Sequence, residues 1–294
     1  MTAEAAQVVI EVLCIGNELL LGTIHNTNAQ WISNKITEVG GSVKRITVVG
    51  DDVNEISKAV KESLRRKPNW LIISGGLGPT YDDKTLQGVG TALDLKLVLD
   101  NTAVEMLKKS YSQRNLTTMT TTTTTTTTTN HELNDIRLKM AKIPMGSTPI
   151  QNPVGSAPSV LIETASKTTK IICLPGVPKE MEAIFSESIL PQIKKIVGDF
   201  YIANSSYEIT GVSEAMLAPA LSNIVDSYPA NSIYVKTHPL GYTGDNKPRL
   251  RIQIVSKGKD KSEVQMRYNN ISNTLAEKIN TLGGKIHITT ALKF

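Results

Sequence analysis

Cysteine is scarce in this sequence, and long hydrophobic runs are missing. The 294 residues include two cysteines, Cys14 and Cys173, which lie far apart in separate apolar segments. A disulfide framework or a thiolate zinc site needs more ligands than these segments offer, so both residues are predicted to be buried thiols. No stretch of about 18 apolar residues predicts a membrane span, and residues 1–7 have neither the basic nor the apolar region of a signal peptide. These absences predict a cytoplasmic protein with no membrane partner.

The sequence also lacks the short motifs of several large enzyme classes. It contains no GxxxxGK[ST] phosphate loop, no GxSxG elbow, no HExxH zinc motif and no CxxC pair. The 32 Lys and Arg residues against 27 Asp and Glu residues give a net charge of +5, and the basic residues are spread along the chain. A dispersed excess of this size favours a small phosphorylated ligand and does not favour nucleic acid as a partner.

The hydrophobic pattern predicts two domains, because the chain is longer than one core usually needs. In residues 1–200, short β-branched runs alternate with segments of helical spacing, which predicts an α/β domain with a mostly parallel sheet and helices on both faces. The predicted strands of this domain are residues 8–15, 43–49, 70–74, 159–163 and 170–174. Residues 205–294 follow the order βαββαβ, which predicts a smaller α+β domain of the split-βαβ type.

A run of threonine interrupts the first predicted domain. Residues 117–129 are all threonine except Met119. Such a run has no apolar periodicity, so we predict a mobile surface loop there. The alternative is an edge strand, which the β-branched composition would support but for which uniform threonine specifies no register.

The segment SGGLGPTYDDKT at 74–85 carries the strongest signal for a ligand site. Glycines at the end of a buried strand let backbone N–H groups approach an anion, and the following helix N-terminus favours negative charge. Asp82 and Asp83 would repel phosphate unless a divalent cation bridged the oxygens, so the segment predicts phosphate together with metal. The alternative is that one aspartate caps the next helix. The predicted phosphate-binding residues are Gly75, Gly76, Leu77, Gly78, Pro79 and Thr80.

Two further groups of loops are expected beside this segment, because ligands bind beyond the carboxyl ends of parallel strands. In residues 15–31, which follow the first strand, Glu18 is a candidate metal ligand or base, although a solvated loop carboxylate is an equal alternative. The segments 143–159 and 174–185 are rich in proline and glycine, and ordinary turn chemistry explains each of them alone. The remaining predicted ligand-binding residues are Asn17, Asn28, Asn152, Gly155, Pro175, Gly176 and Val177.

The sequence contains six motifs that point to a known family: IGNELLLG, NTNAQW, VVGDD, GGLGPTYDD, NPVGSAP and LPGVPKEMEAIF. In their order and spacing they resemble the competence/damage-inducible protein (CinA) family. Residues 8–195 resemble its N-terminal domain, which belongs to the molybdopterin-binding superfamily that includes MoaB and Mog. Residues 205–290 resemble its KH-like domain, and we expect this chain to lack the third, nicotinamide mononucleotide deamidase domain of many relatives.

The resemblance implies a three-layer α/β fold and, in some members, metal-dependent hydrolysis of ADP-ribose to AMP and ribose 5-phosphate. Carried over to this chain, it implies phosphate at the glycine loop and Mg²⁺, Mn²⁺ or Co²⁺ at Asp82 and Asp83, with Glu18 as the third catalytic candidate. Position 17 is Asn where many relatives have Asp, which removes a possible metal ligand. The pocket residues that the resemblance implies are Asn17, Glu18, Asn152 and Gly176.

Two other functions stay open at this point. A crevice with hydrogen-bond donors for phosphate and with a metal would equally serve a molybdopterin or nucleotide binding protein without turnover, or a molybdopterin adenylyltransferase. Because relatives in this superfamily associate through the larger domain, we also expect a homodimer or a larger homo-oligomer.

Overall fold

The computed structural model describes residues 8–119, 133–164, 166 and 168–293. These residues divide into two compact units. The first contains the described residues up to Thr37 and within Gly41–Ile196, and the second contains Glu38–Gly40 and the residues from Val197 onward. None of the helices in this part of the chain is both long and apolar enough to cross a membrane.

A six-stranded sheet forms the centre of the first unit, in the order β2-β1-β3-β8-β7-β6. The central pairs of β1 with β2 and β3, and of β3 with β8, are parallel, which confirms the predicted mainly parallel sheet. The strands are β1 (Val9–Ile15), β2 (Ser42–Val49), β3 (Trp70–Ser74), β6 (Thr148–Ile150), β7 (Ser159–Glu163) and β8 (Lys170–Leu174).

One edge of the sheet is antiparallel, which the sequence analysis did not predict. β7 pairs antiparallel with both β6 and β8. The six residues between β7 and β8 are too few for the crossover that parallel neighbours need, so these two strands form a hairpin. β4 (Leu97–Leu99) and β5 (Lys142–Pro144) form a separate two-stranded antiparallel sheet.

Both faces of the central sheet are covered, so the first unit has three layers. On one face, Leu71 and Ile73 of β3 pack in a core that includes Ile56. Their neighbours Trp70 and Ile72 point to the other face and are also fully buried. The helices are α1 (Asn17–Leu20), α2 (Thr27–Glu38), α3 (Val53–Arg65), α4 (Thr85–Leu93), α5 (Asn101–Met119), α6 (Asp135–Leu138), α7 (Pro178–Ile184) and α8 (Leu190–Val197).

Two helical segments differ in detail from the sequence pattern. The spacing of apolar residues predicts one helix at about 178–195, whereas the structure has a π-helical turn at Phe185–Ile189 between α7 and α8. Residues 117–119 form the last turn of α5 and not a loop, because threonine disfavours a helix by only a few tenths of a kcal/mol. The rest of the predicted threonine loop, residues 120–129, lies outside the described residues.

The second unit has the predicted element order βαββαβ around a four-stranded antiparallel sheet, β10-β11-β9-β12. Its first strand begins at Tyr201, before the predicted start near 205, because residues 201–204 also pair with β11, as far as Gly258. The elements are β9 (Tyr201–Thr210), α9 (Glu214–Asp226), β10 (Ile233–Tyr242), β11 (Pro248–Gly258), α10 (Lys261–Thr281) and β12 (Lys285–Lys293).

Candidate functional site

A crevice of about 460 Å³ lies at the carboxyl ends of β1, β3 and β8 in the first unit. Its lining includes all of Gly75–Thr80 after β3 and Pro175, Gly176 and Val177 after β8. Parallel strands bring these two loops to one edge of the sheet, as the order of the strands requires. The structure therefore brings the predicted phosphate loop and the PGVP loop into one site.

The glycine loop adopts a backbone conformation that would be strained for any residue other than glycine. Gly75 and Gly76 have φ values of +110° and +65°, and a Cβ on Gly75 would overlap the carbonyl oxygen of Ile15. Thr85 at the start of α4 fixes the loop, since its hydroxyl donates to Gly75 O at 2.7 Å and its N–H donates to Gly76 O at 3.2 Å. Among the described residues, the N–H groups of Gly76, Leu77 and Gly78 donate to no other protein group. Three backbone donors are thus left for an anion.

Asp82 and Asp83 meet at the hydroxyl group of Thr80. Thr80 Oγ1 lies 2.5 Å from Asp82 Oδ1 and 2.5 Å from Asp83 Oδ2, and Thr80 N–H also donates to Asp83 Oδ2 at 2.8 Å. The Thr80 hydrogen bond holds the pKa of Asp82 below its usual range. One hydroxyl proton serves one carboxylate at a time, so the pair keeps unshared acceptor capacity that suits a cation.

The alternative that an aspartate caps the next helix is wrong. The N-cap of α4 is Lys84, and no side chain accepts a hydrogen bond at this cap. Both carboxylates instead lie within the loop that precedes the helix, bonded to Thr80.

The crevice is strongly acidic. Of the described residues that line it, five carry carboxylates and none is Lys, Arg or His. A phosphorylated ligand therefore needs a cation to enter. The five carboxylates belong to Glu18, Asp51, Asp82, Asp83 and Glu180.

A divalent cation fits this set if the ligand and water complete its coordination. No group of three or more His, Cys, Asp or Glu residues in the described part of the chain is arranged to hold a metal by itself. Mg²⁺ typically takes one or two carboxylates and fills its other positions with phosphate oxygens and water. Asp82 and Asp83 supply such a pair beside the backbone N–H donors of the glycine loop.

Asn17 and Asn28 were predicted ligand-binding residues, and the structure places both outside the main crevice lining. Asn17 Oδ1 accepts from Asp51 N–H, and Asn17 N–H donates to Asp51 Oδ2. Asn28 Nδ2 donates to Ser74 Oγ at 3.0 Å and to Gly176 O at 2.9 Å. Both asparagines therefore hold residues that line the site. Asn28 itself lines a smaller adjoining cavity of about 150 Å³.

Asn152 and Gly155 also lie behind the crevice wall. Asn152 is 3% exposed, and Asn152 Nδ2 donates to Glu180 Oε2 at 2.7 Å. Gly155 leaves room for the Glu180 carboxylate, because a Cβ at this position would overlap it.

Several lining residues were not predicted from the sequence: Asp51, Tyr111, Met140, Ser156 and Glu180. Asp51 and Glu180 lie within the quoted motifs VVGDD and LPGVPKEMEAIF, so the signal was present but was not assigned to a side chain. Tyr111 lies on α5 and Met140 on the 3-10 turn Lys139–Ala141. Neither residue lies in a loop that follows a predicted strand, where the sequence analysis expected site residues. The Arg137 guanidinium lies 4.4 Å from the centre of the Tyr111 ring.

An α/β domain with a glycine-lined crevice beyond its parallel strands is typical of proteins that bind nucleotides or phosphorylated cofactors. The family of the probable molybdopterin binding domain matches residues 11–195, more than half of the chain. The chain belongs to this family.

Relatives of similar length and one solved structure agree with this assignment. A protein from Sulfolobus acidocaldarius is 38% identical over 276 residues, covering 94% of this chain and 96% of the relative. A protein from Metallosphaera sedula is 37% identical with the same coverage. The crystal structure of the protein CinA, of unknown function, from Thermoplasma acidophilum is 39% identical with a TM-score of 0.53, and the match covers 63% of this chain and 98% of that one. These findings confirm the resemblance to the CinA family.

Proposed function

We propose that the crevice binds a nucleotide diphosphate together with a divalent cation and hydrolyses its pyrophosphate, with ADP-ribose as the expected substrate. The observation that carries the proposal is the composition of the lining: unused backbone N–H donors beside five carboxylates, with no basic side chain among the described residues of the lining. Such a site attracts a phosphate group when a cation accompanies it.

The glycine loop would bind the phosphate groups, and the two aspartates would bind the cation that accompanies them. Backbone N–H groups of Gly76, Leu77 and Gly78 would donate to phosphate oxygens. Asp82 and Asp83 would hold a divalent cation, which neutralises pyrophosphate charge and makes a bound water more acidic. Tyr111 and Met140 also line the crevice, and a base would pack against their aromatic and apolar side chains.

Glu18 is the residue in this site that we assign as general base. Its carboxylate folds back over Gly16, where a Cβ would overlap it, and it lines the crevice. Glu18 would accept a proton from the attacking water while the water oxygen bonds to phosphorus. The bridging P–O bond then breaks, and AMP and ribose 5-phosphate leave.

A second candidate is binding of molybdopterin without hydrolysis, which the description of the matching family favours. Adenylylation of the bound molybdopterin is a variant of this candidate. Incubation of the purified protein with ADP-ribose and Mg²⁺, Mn²⁺ or Co²⁺, followed by chromatography for AMP, separates the candidates. Metal-dependent AMP formation that is lost in Asp82→Asn, and kept in the exposed control Glu105→Gln, supports hydrolysis. No AMP with any metal, alongside tight binding of molybdopterin, contradicts hydrolysis and supports the second candidate.

A further inference from the structure

Glu180 and Ser156 form one wall of the crevice, and the protein leaves part of their hydrogen-bonding capacity unused. Glu180 lies in the first turn of α7, and its carboxylate packs against Gly155. Ser156 is the next residue along the chain from that glycine, and both side chains belong to residues of the crevice lining. The Glu180 carboxylate and Ser156 thus both adjoin Gly155 in the lining of the crevice.

Asn152 fixes the Glu180 carboxylate from behind. Asn152 Oδ1 accepts from the N–H groups of Val154 and Gly155, at 3.1 and 2.6 Å. Asn152 Nδ2 donates to Ala157 O at 3.0 Å and to Glu180 Oε2 at 2.7 Å. A buried amide with four hydrogen bonds cannot rotate without losing several of them, so Asn152 is a positioning residue for Glu180.

The other polar atoms of this wall have no protein partner. Among the described residues, Glu180 Oε1 makes no hydrogen bond or ion pair, whereas Oε2 is held by Asn152. Ser156 is about nine-tenths buried, and no described residue hydrogen-bonds to its Oγ. Ser156 Oγ has almost no exposed surface, so it reaches a ligand only through a change of χ1 rotamer, which costs it no protein hydrogen bond. Unsatisfied buried polar groups are costly, which points to a ligand that supplies their partners.

We propose that Glu180 and Ser156 bind the two neighbouring hydroxyl groups of a ribose, and that this wall selects ribonucleotides over 2′-deoxyribonucleotides. The proposal rests on the proposed function in taking the ligand to be a nucleotide. One hydroxyl donates to Glu180 Oε1, and its neighbour bonds to Ser156 Oγ, which both donates and accepts. Ribose hydroxyl recognition by a carboxylate is a common solution in nucleotide sites.

The hydrogen-bonding pattern favours a diol over the edge of a flat ring. A pterin or guanine edge presents two parallel N–H donors, which pair best with both oxygens of one carboxylate. Oε2 of Glu180 already accepts from Asn152, so Oε1 alone has both lone pairs unused. One anionic acceptor beside one hydroxyl matches two adjacent hydroxyls.

Calorimetric titration with AMP and 2′-deoxyAMP in the presence of Mg²⁺ tests this assignment without requiring turnover. We expect the parent protein to bind AMP roughly 10- to 100-fold tighter, the range expected for a hydrogen bond to a charged group. Glu180→Gln should reduce this ratio to about the uncertainty of the measurement, and Ser156→Ala should reduce it partly. Glu182→Gln, on the same helix but outside the crevice lining, should leave the ratio unchanged.

The outcomes distinguish this inference from the proposed hydrolysis. A ratio near one in the parent protein overturns the ribose assignment even if ADP-ribose is hydrolysed. A preference for AMP in the parent protein that is lost in Glu180→Gln upholds the assignment even if ADP-ribose is not hydrolysed, whereas a preference that Glu180→Gln retains overturns it. Failure of both nucleotides to bind, or a Glu180-dependent preference for a pterin, also overturns it. Urea unfolding of each variant checks that a changed ratio comes from a folded protein.

Discussion

Asn17 and Asp51 exchange hydrogen bonds at the rim of the crevice. Asn17 N–H donates to Asp51 Oδ2 at 2.8 Å, and Asp51 N–H donates to Asn17 Oδ1 at 3.3 Å. Gly50 permits this approach, since a Cβ there would come within 2.5 Å of Asn17 Oδ1. Asp51 lines the crevice, whereas Asn17 does not, so Asn17 acts on the site through Asp51.

Replacement of Asn17 by alanine should therefore weaken ligand binding without removing it. The Asn17→Ala variant frees the Asp51 backbone, and loss of such an orienting contact typically lowers affinity by about tenfold or more. We expect a smaller loss than in Asp51→Asn, measured as the Kd of AMP with Mg²⁺ by calorimetry. Equal affinities for Asn17→Ala and the parent would show that Asn17 does not orient Asp51.

Asp82→Asn and Asp83→Asn should each lower the affinity for Mn²⁺ roughly 10- to 100-fold, while the free energy of unfolding changes little. Each substitution removes a formal charge but keeps an acceptor oxygen for Thr80. Binding of Mn²⁺ is measured by electron paramagnetic resonance or calorimetry. The control is Asp226→Asn, an exposed aspartate at the end of α9 in the second unit. If both variants bind Mn²⁺ and turn over ADP-ribose like the parent, these residues are not metal ligands.

The fold was easier to predict than the roles of individual side chains. The central strands are continuous apolar runs bounded by glycine or proline, so strands such as Trp70–Ser74 follow from local sequence alone. The role of Asn152 does not follow from local sequence, because it depends on Glu180, which is 28 residues away along the chain. A residue's sequence neighbours indicate which loop it belongs to, but only packing decides whether its side chain faces the ligand or supports another residue.

The roles of Asp82 and Asp83 also depend on packing that the local sequence does not reveal. The sequence DDKT before a helix is compatible with an N-cap and with a metal site, since both use short acidic side chains. The choice depends on Thr80, which turns the loop so that both carboxylates point to its own hydroxyl. That turn is set by the φ values of Gly75 and Gly76 and by the bond from Thr85, which no local pattern reveals.

Thr80→Val should raise the pKa of Asp82 toward that of an ordinary aspartate, because the Thr80 hydrogen bond is the main cause of its lowered pKa. A lowered folded-state pKa contributes stability above the unfolded pKa and loses it as the pH falls through the folded pKa. Valine removes this contribution and keeps the shape of the side chain. A pH titration of the carboxyl carbons by NMR measures the shift. An unchanged Asp82 pKa would contradict this prediction. The control is Thr91→Val, since the Thr91 hydroxyl donates to Gln87 O on α4 and lies outside the crevice lining.

The ion pair between the buried Glu11 and the partly exposed Arg66 should contribute most of its stability near neutral pH. Glu11 on β1 is 4% exposed, and its two carboxylate oxygens accept from Arg66 Nε and Nη2, both at 2.7 Å. Burial by itself raises the pKa of Glu11, but the hydrogen bonds from Arg66 and the charges of Arg66 and Arg45 outweigh it, so the pKa is lowered. The pair therefore stabilises the fold above the unfolded pKa of about 4.3 and loses this effect as the pH falls through the folded pKa.

Arg66→Ala should lower the free energy of unfolding at pH 7 by about 2–4 kcal/mol, because it leaves Glu11 buried and charged without its partner. The lower end of that range is expected, since the Arg66 side chain is 36% exposed. Without Arg66, burial raises the pKa of Glu11 above its unfolded value, so the loss should shrink as the pH falls toward 4.5 and Glu11 takes up a proton. Urea unfolding of both proteins at pH 7 and pH 4.5 measures this difference.

Lys108→Ala, which breaks an exposed pair with Glu105, should change stability by less than about 1 kcal/mol at either pH. A loss for Arg66→Ala that stays the same at both pH values would show that it comes from lost packing of the arginine and not from the charge of Glu11.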